Sequence, residues 1–446
     1  MNDLFHLEWR EAEGLKAHLD TESAATLADL RISSGRSAID GICLSRNERR
    51  TEDGRIEVQD DVFVSVYPLA TWFAWNYYRL SYESTPSENV HWDCAHNIAN
   101  VGDGYVWPPI RIYSDGARIV LRPWTAEVES RDPIRYTANV PLILPLQDFQ
   151  KQVWDFLRQV DARLAGKELH DTEYQRIYRE LLDEQKDGET LLWRSIEARM
   201  GFSPDEATEK SRGIFLQICS LVDKDSQQEI AGGGQDAWYF LDHLRNHLHD
   251  FGVVRCPRDA YRPEHITIDN NQPAWVLAVR QAQALRSVIG KPNGRLSNED
   301  LAQIYGISVR SISGLEASKK EPITLFHPET EKVLIGKNHE TGRRFAVARL
   351  IADDMLRTPE TGWGVVTDSR TYRQKFQRAF AAELLFPRAE LAQRITDPDD
   401  LYDLAEAFGV SEMVVRHTLE NHLTNTLSDP LDRWDEWEGT PANQSP

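Results

Sequence analysis

Apolar and polar positions along the chain repeat with different periods in successive stretches. The first sixty residues alternate weakly, with strand-like pieces at Asp3 to Trp9, Thr26 to Ile32 and Arg55 to Val58 between turn signals at Ser33-Ser34-Gly35 and Asp53-Gly54. Leu69, Trp72, Phe73, Asn76, Tyr77 and Leu80 then recur at three- and four-residue spacing, the stripe of a buried amphipathic helix. Gly102 to Leu121 reads as two strands around a Ser114-Asp115-Gly116 turn. From about Pro145 the period is helical. Phe149, Val153, Phe156, Leu157, Val160 and Leu164 form one stripe, and Tyr174, Ile177, Tyr178, Leu181 and Leu182 form another. Leu191 to Met200 and Ile214 to Val222 continue the pattern, broken at Gly188, Gly201 and Pro204. Beyond an extended, Pro-containing link, Ala274 to Arg286 opens a second helical region. In it Thr324 to His327 and Lys332 to Ile335 read as a hairpin.

These elements predict a multidomain α+β protein, as do 446 residues, which exceed a single typical core. The expected divisions are an aromatic-rich α+β domain at 1–144, a helical connector at 145–272, a mainly helical domain with a small hairpin at 273–426, and an acidic tail at 427–446. The tail, with Trp434 and Trp437, reads as mobile or as a docking peptide.

Composition sharpens this in three ways. Between Tyr67 and Trp124 stand 12 of the 42 aromatics, so the region is either a core or a recognition surface on which Arg79, Arg111 and Arg122 join exposed rings. The net charge of −20 disfavours non-specific adhesion to nucleic acid or anionic membrane. Yet Pro273 to Leu350 holds 12 Lys and Arg against 7 Asp and Glu, a basic island in an acidic chain. The four cysteines, Cys43, Cys94, Cys219 and Cys256, are widely spaced, as reduced structural thiols are. With no apolar run of ~20 residues and no export signal at the N-terminus, a cytoplasmic location without membrane contact is expected.

Two histidine clusters were candidates for metal. His91, Cys94 and His96 offer ligand types, but no companion pair lies nearby, so structural roles are expected. Gly232-Gly233-Gly234 lacks the Lys-Ser/Thr of a phosphate loop and reads as a joint. After it, His243 and His247 stand four apart with His249 or Asp250 as a third donor, against the simpler reading of a solvated polar face. Arg245 and His249 are one residue short of the Arg-x4-6-His spacing of HEPN ribonucleases.

Leu301 to Glu316 resembles the helix-turn-helix of Xre-type repressors, with Gly306 in the turn, a reading in which Ser308, Arg310, Ser311 and Ser313 face DNA. The alternative is a scaffold segment that touches no DNA, since the strands after Ile323 replace the later helices of that fold.

The most informative stretch is Arg343-Arg344-Phe345-Ala346-Val347-Ala348-Arg349-Leu350-Ile351-Ala352-Asp353-Asp354, followed by Phe380-Ala381-Ala382-Glu383-Leu384-Leu385-Phe386-Pro387. Together they resemble the ImmA/IrrE family of zinc metallopeptidase-like regulators. There a helix reading Arg-Phe-x-x-Ala-His-Glu-x-x-His precedes one reading Phe-Ala-x-x-Leu-Leu-x-Pro. Asp400 to Leu419 resembles that family's closing helix pair, so the likeness spans about 150 residues. The framework matches, but Arg349 and Asp353 stand at the His positions and Leu350 at that of the general base. The third ligand should fall near Gln374, Lys375 or Phe376, none of them a carboxylate. A guanidinium cannot ligate a cation and Leu350 has no acid-base function. The resemblance therefore implies a metallopeptidase scaffold without its catalytic set, with no cofactor, acting through a protein partner in regulation or defence. Arg349, Asp353 and Asp354 are expected to line the former cleft, with an Arg349–Asp353 pair at i, i+4 in the metal's place. A DNA-binding repressor and a structural subunit of a larger assembly are the alternatives.

Overall fold

The protein is described from a computed structural model, in which it forms two compact units, Met1–Thr208 and Glu209–Pro446. The structure describes residues 4–11, 14, 18–34, 41–51, 53–83, 90–124, 134–232, 253–256, 266, 272–314, 324–357, 362–391 and 400–424. His243, His247, His249 and the tail from 427 onward lie outside these residues.

The first unit contains β1 (Phe5–Trp9), α1 (Thr21–Ala25), β2 (Leu27–Ile32), β3 (Asn47–Arg50), β4 (Ile56–Gln59), β5 (Val62–Ser65), α2 (Tyr67–Tyr82) and α3 (Val90–His96). It continues with β6 (Ile110–Ser114), β7 (Arg118–Pro123), β8 (Ile134–Tyr136), β9 (Leu142–Pro145), α4 (Leu146–Gly166), α5 (Glu173–Glu184) and α6 (Gly188–Arg199). Three antiparallel sheets result, ordered β1-β2-β5, β4-β3-β8 and β6-β7-β9. The Ser-Asp-Gly turn joins β6 to β7 as its composition predicts, pairing Ser114 with Ile119.

The stripe from Leu69 to Leu80 is core, and α2 starts on Pro68, whose missing N–H is harmless in a first turn. Phe5, Phe73 and Phe156 meet edge-on or tilted with centroids 4.9–5.8 Å apart, bringing β1, α2 and α4 together. All six residues of the first connector stripe are buried in this core, as are Tyr174, Tyr178 and Leu181 of α5, whereas Leu182 is exposed. Residues 145–272 are thus shared: α4 to α6 complete the first unit, and the chain from Glu209 belongs to the second.

The second unit contains α7 (Glu209–Cys219), α8 (Lys224–Ala231), β10 (Val253–Val254), α9 (Ala274–Val288), α10 (Asn298–Tyr305) and α11 (Val309–Ser313). After them come β11 (Thr324–His327), β12 (Lys332–Leu334), α12 (Glu340–Leu356), β13 (Gly364–Val366), α13 (Tyr372–Leu385), α14 (Asp400–Phe408) and α15 (Glu412–Thr424). Its antiparallel sheet runs β10-β12-β11-β13, with the expected hairpin pairing Leu325 with Leu334. α13 packs against both α9 and α12. Ser297 and Asp300 form the predicted capping box at the start of α10.

Buried arginines serve as helix ends here. Arg344, wholly buried, donates to Gly409 O (2.9 Å) and Phe408 O (3.2 Å) at the end of α14, and to Leu296 O and Asn298 Oδ1. Arg286 donates to Leu384 O on α13, and Arg343 to Ile312 O on α11 at 2.6 Å. Each places a cation on orphan carbonyls at the negative end of a helix dipole. Gly314 must be glycine for this: its φ is +83°, and a Cβ would lie 2.6 Å from Arg343 Nη2.

Phe156→Ala should destabilise the first unit by about 3–5 kcal/mol, because it empties a fully buried site against the rings of Phe5 and Phe73, whereas Leu182→Ala should change stability by less than about 0.5 kcal/mol. Urea unfolding followed by tryptophan fluorescence measures both.

Candidate functional site

Helix α12 places Arg349, Leu350 and Asp353 on its buried side, with 4%, 1% and 1% exposure. Leu350 lies in apolar core. The expected Arg349–Asp353 pair is not formed, because each side chain finds partners on other elements.

Arg349 reaches the β13–α13 connection: its guanidinium donates to Gln374 Oε1 (2.6 Å), to Asp368 Oδ1 (3.1 Å) and to Thr367 O. Asp368 is itself 81% exposed at the side chain, so the cation is balanced from the solvent side. Burial, against the pull of Asp368, lowers the Arg349 pKa to about 10. Of the three positions expected for a third ligand, Gln374 is the one that meets Arg349, while Phe376 is buried apolar core.

Asp353 is saturated by cations and an amide. Oδ1 accepts from Arg373 Nε (2.9 Å) and Gln377 Nε2 (2.8 Å) and pairs with Arg373 Nη2 (2.6 Å), and Oδ2 accepts from Arg357 Nη2. Burial works to raise this carboxyl, but Arg373 and Arg357 hold it below the ordinary carboxylate range. Asp354 instead pairs with Arg255, which also holds Glu331 at 2.8 Å and lies against the rings of Tyr305 and Phe326.

This donor set does not fit a zinc ion. Zinc needs lone pairs from neutral imidazole, thiolate or carboxylate; the groups converging here are guanidinium N–H, a leucine and a carboxylate already shared by two cations. No cluster of three His, Cys, Asp or Glu suited to a metal occurs among the described residues.

The other sequence candidates fall elsewhere. His96 is wholly buried, with Nδ1 2.6 Å from Ile112 O, Nε2 3.0 Å from Glu83 Oε2 and its ring stacked 4.3 Å from Trp92, while Cys94 is exposed. Of the His-x2-Cys-x-His run, His96 packs as structure, while His91 and Cys94 are exposed. Trp75 and Trp124 are the half-exposed aromatics of this region, with Arg111 4.1 Å over Trp124.

In the helix-turn-helix-like segment α11 has only five residues. Ser308 caps it through Oγ and Arg310 N (3.2 Å), Ser311 is buried, and Ser313 Oγ bonds back to Val309 O and Arg310 O. Arg310 alone of the four is a free-standing exposed cation. Of the twelve cations in the basic island, Arg286, Arg343, Arg344 and Arg349 are buried. A third of these cations are therefore spent inside the fold, while Arg280, Lys291, Arg295, Arg310 and Lys337 are exposed.

The comparisons support a metallopeptidase-type domain in the C-terminal region. The profile of the IrrE N-terminal-like domain, of peptidase family M78, matches residues 365–420, from β13 into α15. No curated protein and no solved structure matches the chain. The matched stretch begins after α12, so the profile itself leaves Arg349, Leu350 and Asp353 outside. Arg357, Arg373 and Gln377, which close the Asp353 network, were not anticipated. Their spacing of four on α12 and of four on α13 is the signal that could have found them.

Asp353→Asn should destabilise the protein by about 3–5 kcal/mol at pH 7, since it strands two buried guanidinium groups. Because the folded carboxyl is held low, its contribution is present above the unfolded value of about 4 and is lost as pH falls through the folded one. The difference between native protein and variant should therefore be constant above pH 5 and narrow as pH falls below about 4, measured as urea midpoints from pH 6 to pH 3.

Proposed function

We propose that the chain is a non-cleaving regulatory or defence-associated protein built on an IrrE-type metallopeptidase scaffold, and that it acts by binding a protein partner. The observation that carries this reading is the place of Arg349. Its guanidinium bridges α12 to Gln374 of α13, so a fixed organic cation joins the two helices that a metal would join in the resembling family. Leu350 supplies no base, and both oxygens of Asp353 are engaged. Such a site retains its framework and the surface around it, while the water-activating chemistry has no residues to run on.

The purified protein should contain less than about 0.1 zinc per chain and leave casein intact. One zinc per chain, lost on replacing His243, His247 or His249, would overturn the reading in favour of a metal centre there. The triple change Arg349→His, Leu350→Glu, Asp353→His should also fail to give peptidase activity, because Gln374 is no carboxylate and Arg357 and Arg373 would flank the new ligands.

DNA binding through α11 is the second reading, and exposed Arg310 favours it. On that reading Arg310→Ala should weaken binding to a specific duplex by roughly 1–3 kcal/mol. On the partner-binding reading the protein shifts no genomic fragment at low salt and Arg310→Ala is silent. Ile312→Ala, fully buried, should destabilise under both and serves as the control.

A further inference from the structure

The outward edge of β13 is coated along its length by side chains and by one short piece of this chain. Trp363 donates its amide to Leu221 O and accepts from Asp223 N, both at 3.0 Å, making a parallel bridge with Val222. Two residues on, Val365 donates to Ser226 Oγ at 3.0 Å, and its carbonyl accepts from Gln374 Nε2 at 3.4 Å. Thr367 O accepts from Arg349. The residues that replace the metal motif thus also fill acceptors along this edge.

The segment Leu221–Gly232 pairs like a strand that gives up after one bridge. It bends away because Asp223 caps α8, taking Ser226 N on Oδ1 at 2.7 Å, so a serine hydroxyl replaces the next backbone partner. The approach is close: a Cβ on Gly362 would lie 2.8 Å from the carbonyl carbon of Val222. Further along α8, Glu229 accepts from Thr371 Oγ1 at 2.6 Å and from Ser369 Oγ. Thr371 is the N-cap of α13, so α8 is tied to the start of the helix that carries Gln374.

Charge fits the same arrangement. Arg373 lies in the field of Asp223 and Glu229, and Arg378 donates to Ser369 O at 3.0 Å. An edge backed by these cations and hydroxyls selects an acid-bearing occupant. A sheet edge presents N–H and C=O groups in a row, and an extended peptide gains main-chain hydrogen bonds by adding to it.

We propose that the β13 edge is the docking site for the partner, and that Leu221–Gly232 is its resident occupant. The site takes a peptide that extends along β13 and then turns into a helix as Leu221–Gly232 does, its carboxylate replacing Glu229 on Ser369 and Thr371. This rests on the partner-binding reading and names where that binding occurs. The tethered segment competes at an effective concentration in the millimolar range, so a free peptide with similar contacts binds the native chain weakly. Weakening the tether exposes the edge.

The test uses the full chain and a fluorescein-labelled synthetic peptide covering Leu221–Gly232, followed by fluorescence anisotropy. The D223A/E229A variant, which removes the cap of α8 and the acceptor for Thr371 and Ser369, should bind the peptide at least tenfold more tightly than the native chain. Equal binding, or none by either, overturns the proposal. A second variant guards against misfolding of the first: V222C/W363C places cysteines at the bridged positions, so oxidation locks the segment and reduction leaves it as displaceable as in the native chain. Weak peptide binding by the reduced form, as by the native chain, and none by the oxidised form is expected, and identical behaviour of the two forms overturns the proposal. A host protein captured equally by both forms would leave partner binding standing and remove this edge as its site. Capture of none by either form would remove the partner-binding reading as well.

Discussion

A buried charge must meet its counter-charge or hydrogen-bond partners, and the second unit is arranged around that requirement. Asp353 and Arg349 leave water together on one face of α12. Neither can be left unpaired without a penalty of several kcal/mol. Asp353 draws Arg373 and Gln377 from α13, and Arg349 draws Gln374 from the same helix and Thr367 and Asp368 from the connection before it. The register of α12 on α13 is therefore fixed by charge as well as by Phe376, Phe380 and Ala379 in the apolar seam. The match is not perfect, since Arg357 Nε and Nη1 and Arg373 Nη1 find no acceptor among the described residues. A lattice with such groups left over is selective for one arrangement more than it is stabilising.

The arginines around this lattice show how part of a local excess of positive charge is turned inward. Arg286, Arg343 and Arg344 gather backbone carbonyls where α13, α11 and α14 end. Helix dipoles and orphan carbonyls provide negative charge that no count of Asp and Glu includes. Three of the island's twelve cations are thus matched by backbone, while Arg280, Lys291, Arg295, Arg310 and Lys337 remain exposed. In the first unit the aromatic density has the same inward character, with Phe5, Phe73 and Phe156 holding sheet to helices and Trp92 stacked on buried His96. Burial tends to raise Glu83, but His96 and Arg79 hold it low, so this interior charge too is closed by near neighbours.

Much of the architecture was legible in the sequence because it depends on local rules. The stripes of α2 and α4, the turn between β6 and β7, the capping box of α10 and the β11–β12 hairpin follow from spacing and turn chemistry within a few residues. The burial of Arg349, Leu350 and Asp353 on one side of α12 came only with the structure. Leu182 was misplaced for a local reason as well: it sits at the margin of its stripe, where one step of helix rotation turns a side chain to solvent.

Tertiary structure decided which charges meet. On helix spacing alone Arg349 and Asp353 should pair, yet a long arginine reaches groups 18 to 25 residues away, and a carboxylate facing α13 meets two cations first. Tertiary structure also divided residues 145–272 between two cores, since an apolar stripe says that a helix is buried and not against what. The pairing of Leu221–Asp223 with the far edge of β13 joins residues about 140 apart in sequence, through one bridge and two side chains. Such a contact has no period to reveal it, because it exists only once the sheet has an edge to cover.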